Sequence, residues 1–176
     1  ERLISKINSG NTIYGVNTGF GNLSQIKIES KDQKELQVNL VRSHASGVGK
    51  PLELGLVRSI LILKLLTYSK GYSGVRPDLS KKIVQFLNND ILPVIPEKGS
   101  VGASGDLAPL GHMALALIGE GFVFYEGKKI KTKTALSKAG VKALDLYPKE
   151  GLSLINGTQV STALAIKTLL DGESLL

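Results

Sequence analysis

The chain contains no cysteine, which excludes disulfides, thiolate nucleophiles and thiolate metal sites and suits a reducing, cytoplasmic setting. Tryptophan is absent too, and aromatic residues make up only 5% of the chain. A base-stacking platform for nucleic acid therefore has little to be built from. The net charge of +7 does not restore that reading, because the basic residues are dispersed and cluster only at Lys128, Lys129, Lys131 and Lys133. No nucleic-acid partner is expected. Long hydrophobic runs are also missing: the stretch from Leu56 to Leu66 is interrupted by Arg58, Ser59 and Lys64, too short and too polar to span a bilayer. The opening "ERLISKINSG" lacks the basic, apolar, small-residue order of a signal peptide, so no membrane partner is expected. The chain opens without Met and closes just after a helical pattern, as a piece of a longer protein would.

What is present is enough for one globular unit: 176 residues, 42% hydrophobic and 21% charged. The patterning predicts a mainly α fold over residues 1–176, without internal repeats or a domain boundary. A helical end around Leu3, Ile4 and Ile7 is closed by Gly10. The stretch "NTIYGVNTGFGNLS" (Asn11 to Ser24) reads as an irregular loop carrying two aromatics. Ser30 and Gln33 form a capping-box pattern for a helix presenting Leu36, Leu40 and His44 on one face. Pro51 is placed to start a buried helix running to Gly71, and Asp78 to cap a shorter one through Leu87. Pro93 and Pro96 impose an extended path. "FVFYEGKKIKT" reads as a hairpin turning at Glu126 and Gly127, followed by a short helix from Thr134. Two polar, glycine-containing turns, "GSVGASGDLAPLGH" (Gly99 to His112) and "NGTQ" (Asn156 to Gln159), each open a buried helix. In the first, Asp106 can cap free backbone donors and Pro109 sits in the opening turn.

A glycine-rich turn before a helix suits phosphate binding, since free N–H groups and the helix dipole point at the anion. Here the Walker pattern fails, because Asp106 stands where Lys is needed, and the dinucleotide fingerprint is unmatched. A non-catalytic phosphate-binding domain is the alternative from a different class. The other use of such freedom is backbone chemistry. Without a side chain, Gly105 could bring its amide nitrogen onto the carbonyl of Ala103. Loss of water from that ring and from the Ser104 hydroxyl would leave a conjugated, electrophilic methylene.

These residues carry a resemblance. "GSVGASGDLAPLGH" is similar to the signature of the histidine and phenylalanine ammonia-lyase family, in which Ala-Ser-Gly becomes 4-methylidene-imidazol-5-one without an added enzyme. "YGVNTGFG" (Tyr14 to Gly21) and "NGTQ" resemble the family's N-terminal active-site loop and later asparagine motif, in the same order. The resemblance covers essentially the whole chain. It implies a cofactor from Ala103, Ser104 and Gly105, supported by Asp106, with no metal and no nucleotide. It also implies Tyr14 as the base that takes the β-hydrogen and Asn156 as donor to the ring oxygen. Phenols are ordinarily protonated at neutral pH, so the base needs positive potential; the helix N-termini near Asp106 and Asn156 are candidate sources. Gly21 and Leu107 are implied beside the substrate. Each residue also has a plainer reading: Tyr14 as a packed loop aromatic, Asn156 as a turn residue, Leu107 as a first-turn core leucine, His44 as a hydrogen-bonded core histidine.

In the family, the pair at Ser43-His44 resembles a selectivity switch: Phe-Leu goes with phenylalanine, His-Leu with tyrosine and Ser-His with histidine. The resemblance therefore implies L-histidine converted to urocanate and ammonia, with tyrosine or phenylalanine lyases and aminomutases of the same family as alternatives. His112 reads as structural. Family members resemble each other as homotetramers about three times this length, with sites shared between subunits. An isolated N-terminal third is then expected to be inactive.

Overall fold

In the computed structural model, which describes residues 2–102 and 104–175, helices dominate and the fold is mainly α, as the periodicity predicts. The chain runs through α1 (Arg2–Asn8), a 3-10 turn (Gly21–Leu23), α2 (Gln33–His44), β1 (Val48–Pro51), α3 (Leu54–Ser69) and α4 (Pro77–Asn88). It continues through β2 (Leu92–Pro93), β3 (Pro96–Lys98), α5 (Leu107–Leu117), β4 (Phe122–Tyr125), β5 (Lys128–Lys131), α6 (Thr132–Ala139), α7 (Glu150–Ile155) and α8 (Gln159–Glu173).

Burial follows helical spacing. On α4, Leu79, Ile83 and Phe86 form one fully buried stripe, each worth roughly 1.5–3 kcal/mol of apolar burial. On α3 the buried side comprises Leu56, Val57, Ile60, Leu61, Lys64 and Tyr68, so a lysine occupies a core position. α5 is buried almost all round, as a central helix must be. α2 and α7 pack on α5, while α8 and α4 pack on α3. None of the described helices is long and apolar enough to cross a membrane.

The predicted hairpin forms as β4 and β5, and its turn has positive φ at both Glu126 (51°) and Gly127 (72°). That is the type I′ geometry whose twist matches the strands. β2 adds to the other side of β4.

Other local expectations are corrected. Ser30 does not cap α2: Asp32 closes a turn onto the Glu29 carbonyl and stands at the N-cap without a side-chain bond. Pro51 ends β1 rather than opening α3, because the proline-stiffened segment at 92–98 offers an extended partner, and β1 pairs antiparallel with β3. Arg76, not Asp78, precedes α4, since Pro77 takes the first helical position where no N–H is missed. α6 begins at Thr132. The apolar run before Asn156 is itself a helix, α7, whose start is held by Glu150. That buried carboxylate accepts from Arg76 Nε (2.9 Å), Arg76 Nη2 (2.8 Å) and the Tyr147 N–H (2.9 Å).

Candidate active site

The glycine-rich loop between β3 and α5 is sharply bent. Gly102, Ser104 and Gly105 have φ of 70°, 59° and 95°, left-handed values that only glycine accepts without cost. Gly105 lies in a parallel bridge with Gly157, so close that a Cβ on it would overlap the Gly157 carbonyl oxygen and stand 2.8 Å from that carbon. The Asp106 N–H donates to the same oxygen at 2.8 Å. Ser104 is exposed, and Ala103 lies outside the described residues.

Asp106 corrects the sequence reading. Its side chain makes no cap bond to α5; instead it caps α8. Only 1% exposed, it accepts from the Ser161 N–H (2.8 Å), the Ser161 hydroxyl (2.6 Å) and the Ser100 hydroxyl (2.8 Å). Ser161 is the third residue of α8, the position an N-cap side chain normally serves. One acid thus ties both ends of its own loop to the helix that opens at the asparagine motif. The positive potential expected from the α8 terminus is offset there by this carboxylate, and the donor a phosphate would use is already taken.

The asparagine motif is held from beneath. Lys64 Nζ donates to the Asn156 carbonyl at 2.7 Å and lies 5.5 Å from the centre of the Tyr68 ring. Lys64 is 0% exposed, and burial pushes its pKa down to about 7. One turn further along α3, the Thr67 hydroxyl accepts from Gln159 Nε2 at 2.9 Å. The Asn156 side chain is exposed and makes no hydrogen bond among the described residues.

The loop carrying Tyr14 joins this assembly through α7. Gln37 is fully buried; its Nε2 donates to the Gly15 carbonyl (3.1 Å) and its Oε1 accepts the Leu152 N–H (3.0 Å). α7 ends at Ile155, with Asn156 as its C-cap, so the first and third motifs share one rigid support. Tyr14 is 55% exposed. Its Oη accepts the Gly21 N–H at 3.2 Å, and its ring meets Phe20 edge to face at 6.1 Å. Two residues proposed for the site therefore touch directly. Among the described residues, no hydrogen bond links Tyr14 to the start of α5 or α8.

Ser43 and His44 end α2. The His44 Nδ1 lies 2.8 Å from the Leu40 carbonyl and 3.2 Å from the Ser43 hydroxyl. A carbonyl only accepts, so in the neutral ring Nδ1 carries the proton and Nε2 is left as an acceptor. α5 abuts this point: a Cβ at Gly111 would stand 2.9 Å from the His44 carbonyl carbon. Leu107, four residues before Gly111, lies on the same face of α5, which brings Leu107 and His44 to one side. His112 is structural as expected, its Nε2 accepting the Gly47 N–H at 3.0 Å, with burial lowering its pKa.

The sequence motifs give no role to Lys64, Gln37, Ser100 or Ser161. Lys64 had a signal, since it continues the buried spacing of Ile60 and Tyr68. The others depend on distant partners.

A model of the family described as aromatic amino acid lyase matches residues 1–176. A histidine ammonia-lyase of Geobacillus thermodenitrificans is 52% identical over 169 residues, 96% of this chain and 34% of that protein. The crystal structure of histidine ammonia-lyase from Trypanosoma cruzi superposes with a TM-score of 0.88 at 38% identity, covering 96% of this chain and 33% of that one. A tyrosine aminomutase from Streptomyces globisporus gives 0.85 at 44% identity over 93% of this chain and 31% of that one. The chain spans about a third of the length of these relatives.

Proposed function

Because the chain belongs to the aromatic amino acid lyase family, we propose that the protein carrying it deaminates an aromatic L-amino acid, L-histidine first, giving urocanate and ammonia. The observation that carries this reading is the backbone at Gly105, closed in a left-handed turn against Gly157 with no room for a side chain. Such a bend suits ring formation from Ala103, Ser104 and Gly105. The Gly105 nitrogen bonds to the Ala103 carbonyl carbon, and that oxygen leaves as water with the amide hydrogens of Gly105 and Ser104, leaving a double bond from that carbon to the Ser104 nitrogen; Ser104 then loses its hydroxyl and α-hydrogen as a second water. The product, 4-methylidene-imidazol-5-one, supplies an electrophilic methylene that makes the substrate nitrogen a leaving group. The residues present fit it: Asp106 and Ser161 clamp the loop, and the unoccupied side-chain amide of Asn156 is available as a donor.

Tyr14 acts as the phenolate: its oxygen, onto which the Gly21 N–H donates, takes the β-proton and becomes the phenol. Tyr14→Phe in the full-length protein is expected to lower kcat by about 10²- to 10⁴-fold. Its melting temperature should change little, because the side chain is half exposed; a kcat near wild type would remove Tyr14 from this role.

Histidine as substrate is supported by His44, whose Nε2 acceptor can take a ring N–H from an imidazole. Ser43→His together with His44→Leu should raise the kcat/KM ratio for tyrosine over histidine by about tenfold or more. An unchanged ratio would take selectivity away from this pair. The likeness to tyrosine aminomutase favours one second reading, return of the ammonia to the β-carbon. Incubating the full-length protein with histidine, tyrosine and phenylalanine separates the two: urocanate formation supports the lyase, and a β-amino acid product the mutase. A homotetrameric parent and a cytoplasmic location complete the proposal.

A further inference from the structure

Burying a lysine without a carboxylate is costly, and an apolar residue of similar length would fill the same place at less expense. The Lys64 ammonium has no ion pair among the described residues, and burial alone accounts for its lowered pKa. Its hydrogen bond goes to the Asn156 carbonyl, in the loop that bridges to Gly105 through Gly157. That carbonyl belongs to the peptide preceding Gly157, a residue at φ 132° whose neighbouring space is filled by the Gln159 side chain. Three residues along α3, Thr67 holds Gln159, so one rigid helix fixes both ends of the motif. The wall that results is the one Gly105 leans on, and Gly157 in turn accepts the Asp106 N–H.

We propose that Lys64 is a positioning residue, which through the Asn156 carbonyl holds the Asn156–Gly157 backbone as the fixed wall against which the Ala103–Gly105 segment bends and cyclises. The inference rests on the cyclisation reading above. Either protonation state serves, because a neutral amine still donates an N–H. Lys64 also sets where the Asn156 side chain emerges, and so where its amide meets the reacting centre.

The test compares full-length wild type with Lys64→Met, Lys64→Gln and Lys64→Arg. Peptide mass over residues 103–105 reports the fraction that has lost two waters, and kcat and KM are measured separately. Lys64→Met is expected to fold, to cyclise more slowly or incompletely, and to lose about tenfold to a hundredfold in kcat with KM nearly unchanged, as for a misplaced reacting group. Gln and Arg, which keep an N–H donor, should recover part of both. Full cyclisation and wild-type kcat in Lys64→Met would overturn the proposal, as would equal losses in all three variants. A Met variant that cannot fold would overturn it too, since the lysine would then serve the core rather than the site. If the wild type itself shows no loss of water, the cyclisation reading fails first and takes this inference with it. A cyclised wild type beside an unaffected Met variant sinks Lys64 alone.

Discussion

Ser104→Ala in the full-length protein is expected to abolish deamination, lowering kcat at least ~10³-fold, about 4 kcal/mol of barrier, while leaving the fold intact. Ser104 is exposed, and its hydroxyl makes no hydrogen bond among the described residues. Alanine therefore removes no packing, and a stability change within about 0.5 kcal/mol is expected. What alanine removes is the hydroxyl that must leave as the second water. Without it the ring lacks its exocyclic methylene, and no ordinary side chain in the site supplies an equivalent electrophile. The measurement is paired: peptide mass over 103–105, which should no longer show loss of two waters, and urocanate formation. Undiminished turnover in this variant would defeat the cofactor reading, whatever the family resemblance implies.

The elements that could be read from the sequence are those fixed by local contacts. The hairpin follows from Glu126-Gly127, α4 from the short helical stretch through Leu87, and α5 from the glycine-containing turn that opens it. Elements set by distant partners could not be read. β1 is four exposed residues with no alternation, and exists because the proline-stiffened segment nearly fifty residues later pairs with it. The same divide runs through the site. The three motifs stand out singly because their residue types are unusual for loops. Their assembly rests on bonds between residues 55, 92 and 115 positions apart: Ser161 to Asp106, Lys64 to Asn156, and Leu152 to Gln37. Asp106 shows the consequence most clearly. Its position before α5 suggests a local cap, but the free donors of α8 compete for the same carboxylate, and they win because the Gly105–Gly157 bridge delivers them at 2.8 Å.

That bridge makes Gly105→Ala the variant with the largest combined effect. The new Cβ would overlap the Gly157 carbonyl oxygen and approach its nitrogen to 3.1 Å, and at φ 95° an L-residue is strained even in open space. Neither wall can retreat cheaply. Gly157 is backed by the Gln159 side chain, its preceding carbonyl is held by Lys64, and its own carbonyl accepts from Asp106. Separating the loops would also loosen the bonds from Ser161 to the buried Asp106, and each buried polar group left unpaired costs about 1–3 kcal/mol. A loss of roughly 2–4 kcal/mol in denaturant unfolding is expected, together with no cyclisation and activity as low as in Ser104→Ala. The pair of variants separates chemistry from geometry: both abolish the reaction, but only Gly105→Ala lowers stability. Wild-type stability and normal loss of two waters in Gly105→Ala would mean that the Gly157 wall yields, and that the bend at the triplet is not imposed by the packing behind it.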